Sequence, residues 1–196
     1  MTTTEHGLLH SFFDHSVPRC YPHVCQALMS HTKVGEVTLE LGCGGKQYGA
    51  FVQGRYFGLD LQADLYGGAG PEVIGDATAL PLADESVDTV FVVAALLDIE
   101  EWQKVLAEGA RVLRGGGRFF VFDYKGSVAR RLGSPNQFTA SMLVRGMESS
   151  SLVGRHHTEF LPVHFIGPLR SPWVRRLAAP FIHRMSNWLV ISGAKV

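Results

Sequence analysis

The chain has little of what marks disulfide-stabilised, zinc-binding or membrane-spanning proteins. Its 196 residues include three cysteines, Cys20, Cys25 and Cys43, and no two of them have the C-x-x-C spacing of metal or redox sites. No run approaches the roughly 18 apolar residues that a membrane helix needs. The first residues lack a basic segment followed by an apolar one, so no signal peptide is expected. These absences favour a cytoplasmic protein, and the length fits one domain.

An excess of one charge is also lacking overall, but the charges are unevenly distributed along the chain. Lys and Arg total 18, as do Asp and Glu, so the formal net charge is zero. Residues 1–123 carry eight basic and sixteen acidic residues, whereas residues 124–196 carry ten basic and two acidic residues, a net charge of +8. The split indicates an anionic partner, such as an acidic substrate, an anionic membrane surface or a nucleic acid. The alternative is that the two parts neutralise each other.

What the chain does have is a glycine turn between two apolar segments. Val37 to Leu41 is apolar apart from Glu40 and is followed by Gly42-Cys43-Gly44-Gly45, and a second apolar segment ends at Asp60. This order predicts strand, turn, helix over residues 46–53, and strand, the first unit of a nucleotide-binding α/β sheet. The glycines let the backbone approach a ligand closely. Asp60 lies where such folds bind the two hydroxyls of a ribose.

The glycine turn does not match two well-known phosphate-binding patterns. The dinucleotide fingerprint needs a third glycine at position 47, which is Gln47, and a P-loop needs Ser or Thr after Gly45-Lys46. We therefore expect a ligand that has ribose and adenine but no phosphate group. An NAD-dependent oxidoreductase is disfavoured for the same reason.

Three later segments extend this pattern into a recognisable series: GLDL (58–61), GDATALPLADESVDTVF (75–91) and LAEGARVLRGGGRFFVFD (106–123). Together with LELGCG (39–44), they resemble in order and spacing the class I S-adenosylmethionine-dependent methyltransferases, in particular the small-molecule, methyltransferase type 11-like group. The resemblance implies a Rossmann-like α/β fold with helices on both faces of a seven-stranded, mostly parallel sheet in the order 3-2-1-4-5-7-6. It also implies S-adenosyl-L-methionine as the cofactor and S-adenosyl-L-homocysteine as the product.

Carried over by position, the resemblance implies which residues bind the methionine and ribose of the cofactor. Glu40 would hold the methionine ammonium group, directly or through water. The backbone at Gly42, Cys43 and Gly44 would line the methionine and the ribose. Asp60 would accept hydrogen bonds from both ribose hydroxyls.

The resemblance likewise implies the residues around the adenine and the sulfonium. Leu61 would lie against the adenine face, Asp76 would accept from the adenine amino group, and the Ala77 N–H would donate to the ring. Ala94, just after the fourth strand, would contact the sulfonium side. For Asp76 the alternative is a loop cap, because Asp commonly bonds its own backbone in turns.

The whole chain is predicted to form a single methyltransferase domain with three parts. They are an N-terminal helical lid (1–36), a cofactor-binding core (37–123), and substrate-side elements with the closing strands (124–196). Outside the glycine-turn unit, the apolar spacing and the turn residues predict helices and strands. The helices are expected at 18–31, 100–113 and 135–150, and the strands at 72–74, 87–93, 118–122, 157–166 and 188–195.

The methyl acceptor and the general base are not fixed by any motif. Signatures of nucleic-acid methylation are absent, which favours methyl transfer to a small molecule, with acidic and lipid-like compounds as candidates, over a nucleic acid. The alternative is a regulatory or inactive protein that binds the cofactor without turnover. Candidate bases are Asp98 and Tyr124, which follow the fourth and fifth strands, and His156, His157 and His164.

Two further patterns have an ordinary explanation beside the functional one. Residues 171–188 have apolar residues at i+4 steps with basic residues between them, which is typical of a helix on an anionic membrane surface. The alternative is a surface helix whose apolar stripe faces the core. His6 and His10 have an i,i+4 spacing, but no third ligand is evident, so no metal site is predicted.

Overall fold

The computed structural model describes residues 22–63, 70–160 and 188–196. This part of the chain contains seven strands, four α-helices and two short 3₁₀ helices, Gly49–Phe51 and Leu96–Asp98. The elements are α1 (Pro22–His31), β1 (Val37–Leu41), β2 (Arg55–Asp60), β3 (Val73–Ile74), β4 (Val87–Val93), α2 (Trp102–Val112), β5 (Leu113–Tyr124), α3 (Gly126–Leu132), α4 (Ala140–Ser149), β6 (Leu152–Phe160) and β7 (Trp188–Lys195).

The strands form one sheet in the order β3-β2-β1-β4-β5-β7-β6. β1 to β5 pair in parallel, and β7 is antiparallel to both β5 and β6. The predicted strand order and the mostly parallel sheet are therefore confirmed. Val90, Phe91 and Val92 are consecutive and completely buried, so both faces of β4 are covered. This burial explains why β4 ends in the continuous apolar run VFVV (90–93) rather than in an alternating pattern.

Helix α2 covers part of the sheet with one apolar face. Trp102, Val105, Leu106 and Ala110 recur at helical spacing and are all buried, as the sequence predicts. Trp102 also contacts the buried Phe138 edge to face, with ring centroids 5.2 Å apart. This contact ties α2 to the loop before α4.

The prediction of a helix over residues 46–53 is wrong. This segment forms turns and the 3₁₀ helix Gly49–Phe51. Lys46 has φ +59°, which is incompatible with a right-handed helix, and Gly49 inside the segment disfavours helix by about 1 kcal/mol relative to alanine. The glycine turn therefore passes directly into a compact loop before β2.

Other elements differ from the prediction in their bounds. β5 begins at Leu113 and includes the three glycines expected to separate it from α2, β6 begins at Leu152, and the short helix α3 was not predicted. α4 begins at Ala140 rather than at residue 135, because the Thr139 hydroxyl caps it by accepting from the Met142 N–H at 3.3 Å.

Several expectations concern residues outside the described ranges, namely the helix start at Pro18, most of the lid, the histidine pair near the N-terminus, the strand end at Ile166, and residues 171–187. The division into three parts stays a prediction. In the described part, no helix has the length and apolar character needed to cross a membrane. No cluster of three metal-ligating side chains occurs there either.

Candidate cofactor site

The glycine turn lies at the carboxyl edge of the sheet, where β1 ends. Gly42 has φ +67°, and its N–H and that of Cys43 both donate to the Leu59 carbonyl, at 2.8 and 3.1 Å. These bonds fold the chain across the end of β2. The turn therefore places the Gly42–Gly44 backbone beside Asp60, as the sequence predicts for a ligand lying over this edge.

The turn after β4 lies directly against the glycine turn. A Cβ at Gly42 would lie 2.6 Å from the Cβ of Ala95, so only glycine fits between the two turns. Ala94 has φ +50° and donates its N–H to the Phe122 carbonyl at 2.8 Å. The structure thus brings Ala94 and the glycine turn together, although they are some fifty residues apart in sequence.

The glycine turn binds one of the two carboxylate oxygens of Asp60. Its Oδ2 accepts from the Gly44 N–H at 2.9 Å, and the side chain is half-buried at the end of β2. In the described part of the chain Oδ1 has no partner. Asp60 is therefore oriented to accept from a ligand hydroxyl, which fits the predicted ribose role.

Glu40 is more enclosed than the sequence suggested. Its side chain is 2 % exposed, and its Oε2 accepts a hydrogen bond from the Tyr56 hydroxyl. Burial raises the pKa of Glu40 to about 8, although the Tyr56 hydrogen bond and the charge of Lys46 oppose this rise. Contact with a methionine ammonium group stays a prediction, and Tyr56 is a residue of the site that sequence reasoning missed.

Cys43 and Lys46 line the side of the turn that faces β2. The Cys43 thiol would lie only 2.5 Å from a Cβ at Gly58, and burial, aided by the charges of Glu40 and Asp60, raises its pKa to about 12. It is therefore a neutral packing residue rather than a nucleophile. The Lys46 ammonium pairs with Glu72, which also accepts from the Gly58 N–H at 2.8 Å.

The predicted adenine residues lie next to Asp60, because the Gly75 N–H donates to the Asp60 carbonyl at 3.0 Å. The Asp76 Oδ1 accepts from the Thr78 N–H and hydroxyl, both at 2.7 Å. This is the loop cap named as the alternative, and it leaves Oδ2 for another donor. Leu61 is 66 % exposed and Ala77 is buried. The arrangement is compatible with an adenine at this edge, and the adenine contacts stay a prediction.

Two residues that the sequence analysis missed fix the turn after β4. The Asp123 carboxylate is completely buried and accepts from the Leu97 N–H at 3.0 Å and the Tyr124 N–H at 2.7 Å. The Asn136 side chain donates to the Ile99 carbonyl at 2.6 Å. Of the candidate bases, Asp98 is exposed on this turn, whereas Tyr124 is buried against Trp188. His156 and His157 lie in β6, and His164 is outside the described ranges.

The free energy of unfolding of the ligand-free protein is expected to fall as the pH rises toward 8. Burial raises the pKa of both Glu40 and Asp123 to about 8, whereas unfolded carboxyl groups titrate near about 4. Between about pH 4 and about pH 8, the folded protein therefore binds more protons than the unfolded chain. The stability that these groups contribute at low pH is lost as the pH rises through their pKa in the folded state.

Urea unfolding of the wild-type protein and of Glu40→Gln, at about pH 5 and about pH 8.5, tests this expectation. The variant lacks one of the two titrating groups and should lose less stability between the two pH values. An equal loss in both proteins contradicts the assignment of Glu40 as a protonated buried carboxyl group.

The strand order is that of the Rossmann-like fold found in solved methyltransferase structures. A family model described as a methyltransferase domain matches residues 39–121. The match covers less than half of the chain, and over this stretch the resemblance to class I S-adenosylmethionine-dependent methyltransferases seen in the sequence is confirmed.

A curated relative supports the same assignment over a limited stretch. The ubiquinone/menaquinone biosynthesis C-methyltransferase of Acidiphilium cryptum is 33 % identical over 93 residues, which is 47 % of this chain and 31 % of that protein. The matched stretch thus spans less than a third of the relative.

Solved structures share the fold at low sequence identity. A chain from the complex of the Haloferax volcanii Trm112 methyltransferase activator with a protein described as a methyltransferase has a TM-score of 0.75 at 19 % identity, covering 99 % of this chain and 97 % of that one. The geranyl diphosphate C-methyltransferase of Streptomyces coelicolor, solved with Mg²⁺, geranyl diphosphate and S-adenosyl-L-homocysteine, has a TM-score of 0.67 at 15 % identity, covering 89 % and 77 %. These likenesses establish the fold.

Proposed function

We propose that the protein transfers a methyl group from S-adenosylmethionine to a small acceptor molecule, with acidic and lipid-like compounds as the first candidates. The observation that carries this proposal is the glycine turn, which bonds Asp60 through the Gly44 N–H and leaves one carboxylate oxygen for a ribose hydroxyl. The names of the relatives support the acceptor class, since one acts in quinone biosynthesis and a structural neighbour binds geranyl diphosphate.

The residues present fit this cofactor. Gly42 lets the glycine turn and the turn after β4 approach each other, since a Cβ there would lie 2.6 Å from the Ala95 Cβ, and no described residue competes for Asp60 Oδ1. A bound cofactor would supply an electrophilic methyl group on its sulfonium sulfur, and the sulfur would keep the bonding electron pair when the acceptor takes the methyl group and gives up any proton it carries. Asp60 and the glycine turn would orient the ribose and methionine, and much of the acceleration would come from this positioning.

An acceptor that must lose a proton needs a base near the turn after β4. Asp98 is exposed on this turn, and Tyr124 is buried against Trp188 with ring centroids 4.2 Å apart. Solvent access therefore favours Asp98 as the group that would receive the proton. The same turn carries Ala94, so the proposed base and the predicted sulfonium contact belong to one rigid loop.

Methyl transfer is tested with S-adenosylmethionine labelled in its methyl group and a panel of demethylated quinones, phenols and carboxylic acids. We expect labelled product from at least one acceptor class, equimolar formation of S-adenosylhomocysteine, and loss of both with Asp60→Ala. Tight cofactor binding without product from any class would contradict turnover. That result would favour the alternative, a regulatory protein that binds the cofactor.

A further inference from the structure

A cavity of about 390 Å³ opens at the carboxyl end of β5, outside the residues assigned to the cofactor. No acidic side chain lines it among the residues that the structure describes. Its lining combines polar side chains with two buried apolar ones, namely Lys125, Ser127, Arg130 and Gln137 with Phe138 and Leu189.

The cavity lies on the same edge of the sheet as the glycine turn. The N–H of Ala94 donates to the Phe122 carbonyl, and Lys125 follows Phe122 by three residues along the chain. At roughly 3.3 Å per residue, this spacing places the cavity about 10 Å from the turn predicted to contact the sulfonium. A small acceptor molecule is long enough to reach both places.

The loop between α3 and α4 joins the cavity to the turn after β4. The Asn136 N–H donates to the Leu97 carbonyl at 3.2 Å, and the next residue, Gln137, lines the cavity. On its other side, the Gly126 N–H donates to the Phe138 carbonyl at 2.9 Å. Backbone hydrogen bonds therefore hold the cavity wall in a fixed relation to the proposed reaction site.

A hydrogen bond to Gln137 orients the Arg130 guanidinium and uses one of its N–H donors. Its Nε donates to the Gln137 Oε1 at 2.9 Å, and this is its one hydrogen bond among the described residues. Residues 124–147 contain four basic residues and no Asp or Glu. The remaining guanidinium N–H groups form a planar fork that matches a carboxylate or a phosphate. The lining of the cavity thus combines cationic hydrogen-bond donors with apolar residues.

We propose that this cavity is the subsite for the anionic group of the methyl acceptor, a carboxylate or a phosphate, with Arg130 and Lys125 as its cationic residues. The inference rests on the proposed function, because the acceptor is bound with its reacting atom at the turn after β4. Its apolar part then contacts Phe138 and Leu189. This arrangement gives Arg130 of α3, and Lys125 just before the helix, a role in selecting acidic acceptors.

Arg130→Gln and Arg131→Gln are a matched pair of variants. The two arginines are adjacent on α3 and both exposed, but only Arg130 lines the cavity. Each protein, with S-adenosylhomocysteine added in excess, is titrated with inorganic phosphate and separately with benzoate at low ionic strength. Backbone amide shifts of residues 125–127 and 139 report binding. We expect Arg130→Gln to raise the dissociation constant by about 5- to 10-fold and Arg131→Gln to change it less than about twofold.

The outcomes separate the subsite from the proposed function. Equal weakening in both variants would mean a diffuse basic surface and overturn the subsite, as would no response to either anion in protein that calorimetry shows to bind S-adenosylhomocysteine. A response to benzoate alone supports a carboxylate acceptor, and a response to phosphate alone supports a phosphorylated one. Absence of S-adenosylhomocysteine binding contradicts the proposed function itself.

Discussion

Replacing Gly42 with valine is expected to abolish measurable binding of S-adenosylmethionine. The new side chain would displace the site by an ångström or more, and we expect the affinity to fall by at least about 100-fold. Gly42 has φ +67°, a conformation that a β-branched residue adopts only with strain. Its Cβ would lie 2.6 Å from the Cβ of Ala95, so the turn after β4 must move away from the glycine turn. Isothermal titration calorimetry measures the affinity, and circular dichroism reports whether the variant is folded.

Gly35→Val is the control for backbone strain. Gly35 has φ +91°, and a Cβ there would meet no atom within 4 Å. It lies before β1, at the opposite edge of the sheet from the site. This variant should lose about 1–3 kcal/mol of stability through strain and keep the wild-type affinity. A folded Gly42→Val protein with unchanged affinity would contradict the placement of the cofactor at the glycine turn.

Asp60→Ala is expected to weaken cofactor binding by about 10- to 100-fold, because the charge-assisted hydrogen bond that Oδ1 would accept from a ribose hydroxyl is lost and such a bond contributes about 1.5–3 kcal/mol. The variant also removes the Oδ2 that accepts from the Gly44 N–H, so the glycine turn loses its support. The expected loss is mainly in affinity rather than in folding, since Asp60 is only half-buried at the end of β2.

Two further variants show whether the loss of cofactor affinity comes from the position of Asp60 in the site or from its negative charge alone. Asp60→Asn keeps an oxygen for the Gly44 N–H but loses the negative charge, and we expect an intermediate affinity. Asp84→Ala removes the same charge from an exposed loop at the amino end of β4, where Asp84 pairs with Arg111, and should bind like the wild type. Wild-type affinity in Asp60→Ala would rule out the ribose role.

The strands were predictable because their signals are local, whereas their order was implied by the family resemblance. β4 and β7 have the predicted bounds, Val87–Val93 and Trp188–Lys195, since apolar runs between turn residues mark buried strands. The helix over residues 46–53 failed because its prediction rested on the usual order of elements, whereas the positive φ of Lys46 is a local backbone property. α3 has seven residues, too few for an apolar period to be recognised.

The site could be predicted only where its residues are neighbours in sequence or match the family pattern. The glycine turn and Asp60 belong to one strand–turn–strand unit, so their proximity follows from the order of elements. Tyr56 reaches Glu40 because Thr38 pairs with Tyr56 in the β1–β2 register, and register cannot be read from one strand. Asp123 bonds to Leu97 across the turn after β4, a contact set by tertiary packing.

The most direct test of the central claim is calorimetric titration of the purified protein with S-adenosylhomocysteine, S-adenosylmethionine and NAD. We expect both methyl-donor ligands to bind, to raise the melting temperature, and to stabilise the fold by about 2.7 kcal/mol at 100 times the dissociation constant. NAD should have no effect, because the glycine turn has Gln47 where the third glycine of a dinucleotide site belongs. No binding of either methyl-donor ligand to the folded protein would contradict the assignment of this edge of the sheet as a cofactor site.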